Sequence, residues 1–91
     1  MKWLSEALED LERLHRFLDD VSPEAAKRAA AAILEGADRL EANPRMGKLV
    51  EGELREWFLP FGVAAYVLGY RLDSERRPVV IRVWHSREVR D

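Results

Sequence analysis

The sequence predicts an α+β domain in which a two-helix antiparallel hairpin packs on a C-terminal antiparallel β-sheet, and three observations carry that expectation. The last third of the chain holds three runs dense in β-branched and aromatic residues, at 54–59, 65–72 and 79–87. Between them stand Pro60-Phe61-Gly62 and the polar stretch 73–78, both built from turn-forming residues, so the runs read as a meander. Ahead of them lie two segments whose apolar residues recur at the three- and four-residue spacing of a helix. At 91 residues the chain is a single domain with room for one thin core. A hydrophobic fraction of 47% beside 35% charged residues is the balance of a folded globule with a large surface, not of a disordered chain.

The first helix is expected to start at Ser5 as N-cap, with Ala7, Leu8, Leu11, Leu14 and Leu18 on one stripe and Glu6, Glu9 and Asp10 near the positive end of the dipole. The second restarts at Ser22 as N-cap, with Pro23 at the first helical position and Glu24 beside it. Its stripe is Ala26, Ala30, Ile33, Ala37 and Leu40, and a connection this short makes the two helices antiparallel. Pro44 pushes Asn43 out of the helical region, Gly47 supplies a turn, and a loop is expected to about Glu53. In the meander, strict alternation places Tyr66, Leu68, Tyr70 and Leu72 on one face against Val67, Gly69 and Arg71. It likewise sets Val79, Ile81, Val83 and His85 against Val80, Arg82 and Trp84. The face carrying Arg71 and Arg82 is only half apolar, which marks it as the functional side.

Composition excludes several kinds of chemistry. With no cysteine there is no disulfide, thiol nucleophile or thiolate metal site, which fits a reducing compartment and a cytoplasmic location. The two histidines, His15 and His85, lie on different elements, so a multi-histidine metal centre is not expected. No glycine-rich phosphate loop occurs, and no cofactor is expected. No apolar run is long enough to span a bilayer, and the first residues lead into an acidic helix, so neither a membrane nor a secretion signal is indicated. A net charge of −2 argues against avid non-specific binding to nucleic acid. Charge is unevenly spread: residues 1–53 hold 8 Lys/Arg against 12 Asp/Glu, while residues 54–91 hold 7 Arg against 5 Asp/Glu.

The basic side chains of the second half form the one constellation with chemical promise: Arg55, Arg71, Arg82, His85, Arg87 and Arg90. Arginine recognises phosphate or carboxylate with a planar fork, and an imidazole exchanges protons near neutral pH. The bland alternative, that these arginines are solvated and blunt edge pairing, stands beside it with about equal weight. Trp3, Trp57 and Trp84 read as core or interface anchors, His15 as a spacer on a helix surface, and the pairs Glu9/Asp10 and Asp19/Asp20 as solvated helix charges.

Taken in order, several short motifs resemble the ParE/RelE superfamily of toxins, the stable halves of bacterial type II toxin–antitoxin pairs. They are residues 4–11 ending in Asp10-Leu11, Pro23-Glu24-Ala25-Ala26-Lys27-Arg28, the Leu40…Pro44-x-x-Gly47-Lys48 turn, Leu54-Arg55-Glu56, residues 66–71, and residues 81–87 with their His85-x-Arg87 ending. The resemblance spans nearly the whole chain and implies a short strand at residues 1–4, giving the order β-α-α-β-β-β. The ribonuclease branch, similar to RelE, carries a Lys-x-Lys pattern where this chain has Glu56 and Phe58, and an arginine where it has Val67. The second helix, the Pro-x-x-Gly-Lys turn and the His-x-Arg ending match the ParE branch better.

That branch poisons DNA gyrase by binding, so the resemblance implies no catalytic residues. Gyrase, or its complex with cleaved DNA, would be contacted by Arg71, Arg82, His85, Arg87 and Arg90. It also implies an antitoxin in a hetero-oligomer, whose disordered C-terminal segment folds onto the toxin. The residues expected to receive it are Leu4, Leu8, Leu11, Leu14 and Phe17, with Arg55, although the same leucines must also serve the core. Nucleic acid enters only through the gyrase–DNA complex or through the antitoxin complex on operator DNA. Two alternatives remain open at this point: a ribosome-dependent ribonuclease using Arg82, His85 and Arg87, and a degenerate toxin fold that only binds a partner.

Overall fold

The computed structural model describes residues 1–88. The chain runs β1 (Lys2–Trp3), α1 (Ser5–Val21), α2 (Pro23–Ala42), β2 (Lys48–Glu51), β3 (Leu54–Phe61), β4 (Ala64–Leu72) and β5 (Pro78–His85). All strands join one five-stranded sheet of order β1-β5-β4-β3-β2. Strands β2 to β5 are antiparallel neighbours, and β1 lies parallel to β5 through Lys2↔Val79 and Trp3↔Val80. The expected strand, helical hairpin and sheet are therefore present in the expected order.

Both helices lie on one face of the sheet and close a single core. Tyr66, Leu68 and Tyr70 of β4 and Val80 and Val83 of β5 meet Ala7 and Leu14 of α1 and Ala29, Ile33 and Leu40 of α2. The cap of α2 is as the sequence predicts, with the Ser22 hydroxyl accepting from the Ala25 amide and Pro23 in the first turn. The cap of α1 is different. Leu4 occupies the N-cap position and no side chain caps the helix, while Ser5 is already helical. The cause is the β1–β5 ladder, which continues through Leu4 N–H to the Val80 carbonyl at 2.9 Å and delivers the chain directly into the helix.

Three further differences have local physical causes. Residues 48–51, read as loop, form β2, because Gly52 with a φ of +53° completes a tight turn back into β3. This strand is exposed along its whole length, so it shows no apolar alternation that would reveal it. On α2, Ala29 and Gly36 are buried where Ala30 was expected, and Ala30 is exposed. On β5 the alternation is broken by a bulge: Gly69 pairs with Arg82, but Tyr70 pairs with Val80, which leaves Ile81 unmatched. Val80 and Val83 therefore both face the core, contrary to the expected opposition of Val79, Ile81, Val83 and His85 to Val80, Arg82 and Trp84. The Trp84 ring leans over Gly69 on the outer face, where a Cβ on that glycine would lie 2.9 Å from it.

The α2–β2 turn is anchored from inside. The Tyr70 hydroxyl donates to the Pro44 carbonyl at 2.7 Å and accepts from the Gly47 amide at 2.8 Å. A Cβ on Gly47 would fall 2.6 Å from the same ring, so only glycine fits the Pro-x-x-Gly-Lys turn here.

Candidate functional site

β1 pairs with β5 only at Val79 and Val80, so among the described residues no strand covers the outer β5 edge at Val83, which faces α1. Asp10 of α1 fills this gap. Its carboxylate accepts from the Val83 amide at 2.8 Å, from Arg82 Nε and Nη2 at 2.8 and 3.2 Å, and from Arg13 Nη2 at 3.3 Å. Asp10 is 5% exposed, the one buried charged residue among the described residues. Burial pushes its carboxyl up, but the hydrogen bonds from Arg82, the Val83 amide and Arg13 outweigh it and hold the group below the usual carboxylate range. The same contacts raise Arg82 further above its ordinary value, chiefly through the hydrogen bond to Asp10. Arg82 also lies over the Trp84 ring, 5.6 Å from its centroid, and 3.8 Å from Glu6.

One turn further along α1, a cavity of about 550 Å³ opens between the helix and the end of β5. Leu14, Phe17, Leu18 and Tyr66 form its apolar wall, and Arg13, His85, Arg87 and Glu88 its polar rim. Arg13 reaches across to Glu88 with both terminal nitrogens, at 2.7 and 3.3 Å, and this contact raises its already high pKa. Glu88 also accepts from the His85 amide at 3.0 Å. The Arg87 amide donates to His85 Nδ1 at 3.1 Å, which leaves Nε2 to carry the proton of a neutral imidazole. The Tyr66 ring meets the imidazole nearly at right angles with centroids 5.6 Å apart, and burial pushes its hydroxyl pKa up, so that it remains protonated at neutral pH.

Of the residues expected to contact gyrase, only His85 and Arg87 line this cavity among the described residues, and of those expected to receive the antitoxin, Leu14 and Phe17 form part of its wall. Arg82 lies beside it but is engaged with Asp10. Arg71 pairs with Val79, five residues along β4 from Tyr66, which is roughly 17 Å at strand rise. Arg90 lies outside the described residues. Arg55 faces the other end of the sheet and donates to the carbonyls of Gly47 at 2.8 Å and Arg45 at 3.3 Å, pinning the α2–β2 turn. Leu8, Leu11 and Leu14 line a second apolar groove of about 310 Å³ between α1 and α2, while Phe17 belongs to the wall of the first cavity. Leu4 lines neither and is half-buried at the junction of β1 and α1.

Over residues 1–90 the chain matches the family described as "ParE toxin of type II toxin-antitoxin system, parDE". It belongs to that family of toxins. Three proteins of Caulobacter vibrioides are similar to this toxin over 92% of its length. Toxin RelE3 is 37% identical, with 90% of its own length matched, and Toxin RelE1 is 37% identical, with 89% matched. Toxin RelE2 is 31% identical, with 91% matched. The toxin is thus a member of the ParE/RelE superfamily, and as one half of a type II pair it has an antitoxin partner. Among its described residues no helix is long and apolar enough to cross a membrane.

Sequence reasoning set aside the residue that organises this end of the toxin. Asp10 was read with Glu9 as a solvated helix charge, yet it is buried and Glu9 is exposed. A signal was available: Asp10 falls between Ala7 and Leu14 at spacings of three and four, inside the apolar stripe itself. A carboxylate on that stripe requires a donor from another element, and Arg82 with the Val83 amide provides it. Arg13 and Glu88 carried no comparable signal, since their contact spans 75 residues.

Proposed function

We propose that this toxin arrests growth by binding DNA gyrase and stalling its cleaved DNA complex, and that its antitoxin relieves the block by direct binding. The observation that carries the binding reading is the internal neutralisation of Arg82, the cation three residues before His85 that a ribonuclease centre would need. Its guanidinium is held by the buried Asp10 carboxylate, which Arg13 also contacts. A ribonuclease needs cations gathered around a phosphorane-like transition state together with a proton-transfer pair. Arg87 is the one guanidinium of the cavity rim without a carboxylate partner among the described residues, and Glu56 and Phe58 stand where the RelE branch has lysines. On this reading His85 and Arg87 touch the gyrase–DNA complex, with Arg82 and Arg71 as outlying cations, and Arg90, which follows in sequence, is a further candidate. The antitoxin covers Leu8, Leu11, Leu14 and Phe17 on the helical hairpin, with Leu4 and Arg55 at its margins. Both encounters take place in the cytoplasm.

The names of the similar proteins, all called RelE toxins, favour a second reading: a ribosome-dependent ribonuclease with Arg82, His85 and Arg87 at its centre. One experiment separates the two. Purified gyrase is assayed for supercoiling and DNA cleavage with and without the toxin, beside a translation reaction in vitro. Lost supercoiling with accumulated cleaved DNA and intact translation supports the gyrase reading. Blocked translation with cut messenger RNA and unaffected gyrase replaces it with the ribonuclease. Inertness in both assays leaves a degenerate fold that binds its partner only.

A further inference from the structure

Glu88 sits in the cavity as a bound ligand would. Its two oxygens take a two-pronged guanidinium contact from Arg13 of α1 and a backbone N–H from His85 at the end of β5. A guanidinium fork and an amide converging on paired oxygens form a donor set that suits a phosphate as well as a carboxylate. The rim also holds more donors than one carboxylate uses. The Arg87 guanidinium has no acceptor among the described residues, and His85 Nε2 is left as a donor because Nδ1 is occupied by the Arg87 amide. Glu88 is 26% exposed and Arg13 44% exposed, so water screens their attraction and the carboxylate is easily exchanged. The apolar wall of Leu14, Phe17 and Tyr66 extends from the same point and offers a surface for a sugar or a base.

We propose that this is a phosphate-binding site which the chain fills with its own Glu88 carboxylate, and that its external ligand is a backbone phosphate of a nucleic acid strand. Entry of the phosphate displaces Glu88 from Arg13 and brings Arg87 onto the new anion. Glu88 is thereby an internal competitor that keeps the isolated toxin from binding nucleic acid indiscriminately. The inference rests on the reading above only in taking this end of β5 as the working surface, and it holds whichever target the strand belongs to.

The test measures binding of inorganic phosphate and of a short labelled single-stranded oligodeoxynucleotide to the purified toxin and to Glu88→Gln and Glu88→Ala. Circular dichroism establishes that each variant is folded, and two side chains at the position keep the test alive if one of them is not. Removing the competitor is expected to tighten both ligands about tenfold, with phosphate displacing the oligonucleotide. Glu9→Gln, which removes one exposed charge elsewhere on α1, is expected to leave binding unchanged, and Arg13→Gln added to Glu88→Gln is expected to abolish the gain. Equal binding by wild type and both Glu88 variants overturns the site. So does a gain that Glu9→Gln reproduces or that survives Arg13→Gln, since either would be bulk charge. A gain for phosphate without one for the oligonucleotide overturns the nucleic acid assignment. Gyrase is absent from this measurement, so its outcome and that of the supercoiling assay are separable.

Discussion

Replacing Asp10 by alanine tests the account of how this end of the fold is held. The carboxylate is the sole acceptor for the Val83 amide in the half of β5 that β1 leaves uncovered. Stranding a buried backbone N–H costs about 1–3 kcal/mol. Arg82 and Arg13 are 38% and 44% exposed, so water takes over most of their interaction, and their loss adds only about 1 kcal/mol. The sum is about 2–4 kcal/mol, against a total stability of roughly 5–14 kcal/mol for a domain of this length. The corresponding fall in melting temperature is roughly 10–25 °C. Urea unfolding followed by tryptophan fluorescence reads the difference as a shift in midpoint at constant slope. Asp10→Asn keeps an oxygen for the Val83 amide but turns a donor toward Arg82, so its expected cost is smaller, about 1–2 kcal/mol. An alanine variant within about 0.5 kcal/mol of wild type would refute the reasoning, and an asparagine variant as damaged as alanine would refute the leading role given to the Val83 contact.

The remaining predictions concern acid stability, the α2–β2 turn and the antitoxin. Because folding lowers the Asp10 pKa, the unfolded chain takes up the proton first, at the ordinary carboxyl value of about 3.9. The Asp10 contribution is therefore whole above that value and lost as pH falls through the lower folded one. Asp10→Asn should flatten the acid limb of a urea-midpoint profile without abolishing it, since Asp73 and Glu41 are shifted in the same direction, and an unchanged limb would contradict the assignment. Tyr70→Phe removes the hydroxyl that serves both Gly47 and Pro44 and is expected to cost about 1–3 kcal/mol, with faster hydrogen exchange at the Gly47 amide as its local signature. Phe17 is 69% exposed and Leu14 only 8%. Phe17→Asp should accordingly weaken antitoxin binding about tenfold in calorimetry with stability nearly unchanged, whereas Leu14→Asp should unfold the domain.

The helices and the three long strands were legible because each is announced locally: Ser22-Pro23 starts α2, Pro44 ends it, and aromatic and β-branched runs mark β3, β4 and β5. What sequence could not supply were features set by pairing between distant segments. The bulge at Ile81 depends on the register between β4 and β5, and it decides that Val80 and Val83 share a face. The strand β2 is too short and too exposed to carry a period. Of the residues on the cavity rim, His85 and Arg87 were named from the sequence for their His-x-Arg spacing at the end of the last strand. Asp10 was lost to a rule about adjacent acidic residues that holds for free helix surfaces and fails on the buried stripe.

Burial separates the α1 leucines that sequence left undivided, with Leu14 in the core and Leu8 exposed, and the walls they share have a mechanical consequence. Leu14, Leu18 and Tyr66 line both the groove between the helices and the cavity at the end of β5. Leu14 is 8% exposed and Tyr66 1%, so these side chains are packed on several sides and have little freedom to move independently. A helix seated in the groove would press on the same side chains that form the cavity wall behind His85, Arg87 and Glu88. An antitoxin confined to the apolar hairpin thus has a physical route to the charged end of β5 without covering it. The single turn of α1 that carries Asp10, Arg13 and Leu14 joins the buried carboxylate that holds β5, the polar rim of the cavity and the apolar wall that cavity shares with the groove.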